Sequence, residues 1–173
     1  MKKFVWLLVL AGMLVSCGEM NLTPEEKAAR KEAAKKSVAE SIINRHYRIN
    51  VTSMTPLRAE TFYISGHWIK IDSTMVDCSV PYMGLDDTPH FKTPSEARID
   101  ARLVFTAEMQ DYLVELQPEQ NSIAVSFKTS FRGSDYTFNI LVEDVNQARV
   151  RIIPEDRDEI AYEGNLYPRE DKK

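Results

Sequence analysis

The chain has 173 residues, 43% hydrophobic, 28% charged and 9% aromatic, which excludes a disordered or collagen-like chain and suits a single folded domain. It carries 22 Lys and Arg against 26 Asp and Glu, a formal net charge of −4 at pH 7. With only two cysteines, Cys17 and Cys78, a disulfide framework and a Cys-rich zinc site are excluded.

Residues 1–16 read as a signal peptide. Lys2 and Lys3 form a positive n-region. Phe4 to Leu14 is an uncharged apolar run, long enough for a signal h-region and too short to span a bilayer as a helix. Leu14-Val15-Ser16-Cys17 follows. An apolar residue three before a Cys, with a small residue directly before it, resembles the bacterial lipobox, in which the thiol accepts the acyl chain. Cys17 is therefore the expected lipidation site, and the lipid is the expected contact with the membrane. The expected location is the cell envelope, at the outer membrane. Cleavage removes two bases and no acid, so the mature chain carries 20 bases against 26 acids, net −6. That balance suits no nucleic-acid partner, because phosphate binding needs clustered Lys and Arg.

Residues 17–22 form a short lipidated tether. Thr23-Pro24-Glu25-Glu26 is a helix start: Thr23 as N-cap, Pro24 at the first helical position, Glu26 closing a capping box. Ala34, Val38 and Ile42 share a face at i, i+4, which Ala39 and Ile43 widen. The spacing predicts an amphipathic N-terminal helix over 23–46, docked by its C-terminal half. Lys27, Lys31 and Lys35 stack on it and read as a solvated face.

From residue 47 the period becomes two. The segments around Tyr47–Val51, Thr61–Ile71 and Val76–Val80 alternate, with Gly66 as a bulge and Asp72-Ser73-Thr74 as a turn. Residues 81–97 hold three Pro and one Gly and read as a long loop. Alternation resumes at Leu103 and Phe105, then at Tyr112, Val114 and Leu116, and at Ile123, Val125 and Phe127. It continues through Tyr136 to Val142, Ala148 to Ile152, and Ile160 with Tyr162. Polar turns separate these segments, and no helix intervenes, so the strands are antiparallel. The expected β domain spans 47–168, and 169–173 is a frayed tail. The fold class is α+β: the helix, then an antiparallel meander of about eight strands, open or curled into a partial barrel.

Several short motifs resemble one family. Pro81-Tyr82-Met83-Gly84, Phe105-Thr106-Ala107, Asp111-Tyr112 and Phe127-Lys128-Thr129 carry the likeness. Asp135-Tyr136-Thr137-Phe138 and the run Arg157 to Gly164 extend it, and Asn44 to Arg48 fits its start. These are similar to the domain of unknown function (DUF) 4251 family, small lipoproteins of Bacteroidetes-type bacteria. Leu85-Asp86 stands where such proteins often carry Arg-Ala. The resemblance implies a location and a fold, and brings no activity.

The long loop is the candidate binding element, through Tyr82, Met83, Asp86, Asp87, His90 and Phe91. The same side chains also fit a lid folded over one end of the sheet. Asp86, Asp87 and His90 lack further ligands at a recognisable spacing, so no metal site is assigned. Cys78 shares parity with Val76 and Val80, which makes it a buried thiol rather than a nucleophile served by His46, His67 or His90. The chain has no GxSxG, HExxH, P-loop or GxGxxG. No catalytic residue and no cofactor are assigned. The expectation is a lipid-anchored envelope protein that binds an envelope protein or a glycan and is not an enzyme. The alternative is a periplasmic small-molecule carrier with an apolar pocket inside a curled sheet.

Overall fold

Helix α1 (Pro24–Ile43) begins on its capping box: Glu26 N donates to Thr23 Oγ1 at 3.2 Å, and Thr23 N donates to Glu26 Oε2 at 2.8 Å. The structure, a computed structural model, describes residues 23–57, 59–82 and 102–169. It divides into a unit ending at Ala33 and a unit from Ala34 to Lys173. In the first, residues 23–33 are exposed throughout. In the second, α1 buries Val38, Ser41 and Ile42. Ile43, expected to widen the apolar face, is 60% exposed. Two residues later Arg45 turns left-handed, φ 54, and the helix ends.

Nine strands follow in place of the eight expected: β1 (His46–Pro56), β2 (Phe62–Asp72), β3 (Met75–Pro81), β4 (Arg102–Glu108), β5 (Gln110–Gln117), β6 (Ser122–Phe131), β7 (Ser134–Glu143), β8 (Gln147–Pro154) and β9 (Ile160–Pro168). They form one antiparallel sheet in the order β4-β3-β2-β1-β9-β8-β7-β6-β5. The pairing of β1 with β9 joins the two ends of the β region. Met109 is the single residue between β4 and β5. Met109 N donates to Thr74 O in the β2–β3 turn at 2.7 Å, and the β5–β6 register shifts between Gln110 and Leu113, where Asp111 has φ 54. The chain therefore leaves β3 and joins β6 within one residue. The sheet curls into a half-barrel whose two edge strands are consecutive in sequence.

Alternation places one side of every strand inside. Ile49, Ile69, Val76, Phe138, Val150 and Tyr162 are fully or nearly fully buried. Rings fill the space between the curled walls. Phe105 of β4 stacks on Phe131 of β6 with centroids 4.8 Å apart, and Phe127 stacks on Phe138 at 4.8 Å. The predicted bulge is present at Gly66, φ 77, where residues 64–66 of β2 stand opposite Thr52 of β1. Leu116 has core parity yet is 62% exposed, because β5 is an edge strand with no neighbour on its outer side.

Gly164 is the tightest point between β9 and β1. It pairs with Val51, and a Cβ there would meet Asn50 O at 2.2 Å and Val51 Cα at 3.0 Å. Both are backbone atoms locked in the ladder. Gly164→Ala should cost about 1–3 kcal/mol by overpacking and lower the melting temperature by at least about 3 °C. An unchanged thermal unfolding curve would contradict this close approach.

Candidate functional site

The outer face of the sheet carries two cross-strand rows that together line a groove. One row runs Glu115, Ala124, Leu141, Arg149, Glu163 across β5 to β9. The next runs Leu113, Ser126, Asn139, Arg151, Ala161, and reaches Thr55 of β1. Between them lies a cavity of about 560 Å³. Ala124, Leu141 and Ala161 are half-buried on its floor, and Leu113 at its β5 wall is 59% exposed. Both arginines along it are paired: Arg149 lies 3.4 Å from Glu143 and 3.6 Å from Glu163, and Arg151 pairs with Glu159. Glu115 on β5 adds a further carboxylate beside the apolar floor.

Sequence reasoning did not single out these residues, although a signal was present. Strict alternation breaks at Tyr112-Leu113-Val114, Ile123-Ala124-Val125, Ile140-Leu141-Val142 and Ile160-Ala161-Tyr162. In each triplet the middle residue sits on the face that alternation assigns to water. The structure brings all four middle residues into the same groove.

Pro81, expected to open the predicted loop, is the last residue of β3, and of the six candidate residues in that loop only Tyr82 falls among the described residues. It is buried, its hydroxyl donates to Asp158 O, and the Arg157 guanidinium lies 5.5 Å from its ring centre. It is a wall residue of the core rather than part of an exposed loop surface. Burial pushes its phenol well above the ordinary range, so it stays a donor. Met83, Asp86, Asp87, His90 and Phe91 lie outside the described residues, as do Cys17, the signal peptide, the tether and residues 170–173.

His46 and His67 do not form a site with Cys78. His46 Nδ1 lies 3.4 Å from Asp72 at the C-terminal end of β2, away from His67 at mid-strand, and Arg169 also bonds Asp72. That bond holds the Asp72 carboxyl below its ordinary value. His67 Nδ1 lies 3.3 Å from Ser79 O. Cys78 is fully buried, and burial, with a lesser push from Asp77, drives its thiol far upward. A nucleophilic thiol needs the opposite shift. Native Cys78 should therefore react slowly with a thiol reagent, even in mildly alkaline buffer, and quickly once the chain is unfolded. Fast labelling of the folded protein in a stopped-flow assay would reverse this assignment.

The fold and the groove can be set beside known proteins. A crystal structure of a DUF4251 family protein from Bacteroides eggerthii DSM 20697 superposes with a TM-score of 0.60 at 12% identity, covering 81% of this chain and 91% of that one. At that identity the likeness establishes the fold. No curated protein matches the chain. Residues 29–166 match the family described as "Domain of unknown function (DUF4251)", a span from mid-α1 into β9. The chain belongs to the DUF4251 family.

Proposed function

We propose that the protein is a lipid-anchored module of the cell envelope that binds a partner and does not catalyse. Cys17 carries the acyl anchor at the outer membrane. Helix α1 acts as an amphipathic dock through Val38 and Ile42. The outer-face groove receives an extended segment of a partner envelope protein.

The observation that carries this reading is the register of the four apolar triplets. Ala124 stands directly opposite Leu141, and Leu113 and Ala161 lie in the adjacent row. Scattered surface apolar residues are ordinary, but a contiguous set in a concavity is a contact surface. The β5 wall is also an edge strand, so a partner strand can hydrogen-bond to it while its alternate side chains enter the groove. The interior favours this over a carrier, because Phe105, Phe127, Phe131 and Phe138 pack the space between the walls.

Two experiments test the parts separately. Cys17→Ala should leave the chain unacylated and release it from membranes; unchanged membrane partitioning refutes the anchor. A photo-crosslinking residue at position 141 should capture one partner protein in cells. The same residue at exposed Tyr63, which lies outside the groove, should not. Ala124→Arg fills the groove floor and should abolish the adduct at 141. An adduct that survives Ala124→Arg, or forms equally from both positions, removes the groove from the reading.

A further inference from the structure

One end of the half-barrel gathers three arginines that are far apart in sequence. Arg102 opens β4, in register with Pro81. Arg132 sits in the β6–β7 turn, φ 53, beside Gly133, φ 81, the two left-handed residues of a two-residue hairpin loop. Arg157 lies between β8 and β9. All three line one cavity of about 120 Å³, walled by Tyr82, Ser134 and Tyr136.

Two of the guanidiniums are held over rings. Arg157 lies 5.5 Å from the Tyr82 ring centre and Arg132 lies 5.1 Å from that of Phe131. A guanidinium over an aromatic face keeps its N–H edge available to an acceptor in its own plane. Among the described residues one carboxylate is bonded to these arginines. Asp156 accepts from Arg157 Nε at 3.1 Å and Nη2 at 3.3 Å, and from Ser134 Oγ at 3.1 Å. Among the described residues no carboxylate lies within ion-pair distance of Arg102 or Arg132. Among the described residues the cavity sets three cations against the carboxylates of Asp156 and Asp158, in a chain whose formal charge is −4. Local charge runs opposite to the molecule as a whole, which draws an anion to this point.

We propose that the cavity formed by Arg102, Arg132 and Arg157 binds a single phosphate group. A carboxylate offers two acceptor oxygens and one charge, whereas a phosphate offers three strong acceptor oxygens and up to two charges. Arginine is the residue suited to that geometry. The volume sets the size of the group. Pockets for drug-sized ligands span roughly 300–1,000 Å³, so this one takes a headgroup and leaves its carrier outside. The site is independent of the outer-face groove.

The test is a calorimetric titration of inorganic phosphate into the full-length chain in a phosphate-free detergent, with phosphorus NMR as a second readout. One saturable site is expected. Arg102→Ala and Arg132→Ala should each weaken it by at least about tenfold, the loss of a charge-assisted hydrogen bond. Arg48→Ala, whose guanidinium stacks on Trp68 elsewhere on the sheet, should leave it unchanged. All three positions are exposed, and melting curves that match the parent chain show that folding is intact. Absence of saturable binding overturns the proposal, as does an equal loss in all three variants. A second titration identifies the carrier. Tighter binding of a short-chain phosphatidic acid than of glycerol 3-phosphate assigns the phosphate to a lipid headgroup. Equal binding assigns it to a small soluble ester. Either result supports the site.

Discussion

A single residue sets the curvature of this protein. Nine hydrogen-bonded strands laid flat would place the outer two about 38 Å apart, at roughly 4.8 Å per spacing. Here the outer two are β4 and β5, and only Met109 separates them. Two virtual bonds between Cα atoms reach at most about 7 Å. The sheet has no way to satisfy both its pairings and its connectivity except by curling until its edges meet. Met109 N on Thr74 O, and Thr129 Oγ1 on Glu108 O at 2.9 Å, fasten that meeting point. The curl then dictates the interior. Between the walls the rings of Phe105, Phe127, Phe131 and Phe138 stack on one another.

A second set of bonds spans the curled interior where no ladder reaches. Tyr162 Oη on β9 donates to Pro81 O at the end of β3 at 2.7 Å, and Tyr82 Oη donates back to Asp158 O ahead of β9. Strands β3 and β9 are three places apart in the sheet, so these two tyrosines tie opposite walls. Burial raises both phenols far above the ordinary range, which keeps the hydrogens on the oxygens that donate. The tie brings the Pro81-Tyr82 and Arg157–Gly164 segments together across the interior. It also draws Arg102 and Arg157 to the same end, since one flanks Pro81 across the ladder and the other flanks Asp158.

Much of the fold was legible because a half-barrel needs only one buried face per strand. Tyr47, Ile49 and Val51, or Phe138, Ile140 and Val142, announce their inward side by parity, and the structure buries them. The capping box at Thr23 was equally local. What the sequence could not convey was long-range partnership. The pairing of β1 with β9 links residues more than a hundred apart, and alternation carries no information about which strand meets which. The join at Met109 was hidden for the same reason: the segments at Leu103–Phe105 and Tyr112–Leu116 are legible as strands, but nothing in them says that they take opposite edges of the sheet. Leu116 misled by parity alone: it points inward, but an edge strand has no flank to cover it.

The groove was obscured by the rule that made the core visible. Alternation sorts residues into inside and outside, and an apolar residue on the outside counts as noise unless its neighbours across the ladder are known. Leu113, Ala124, Leu141 and Ala161 become a surface only once the β5–β9 registers align them. The arginine cavity was obscured differently, because its members sit at strand ends and turns whose convergence depends on the curl. On the outer face the strand registers set an apolar floor beside paired charges, and at the rim the curl brings Arg102, Arg132 and Arg157 around one small space.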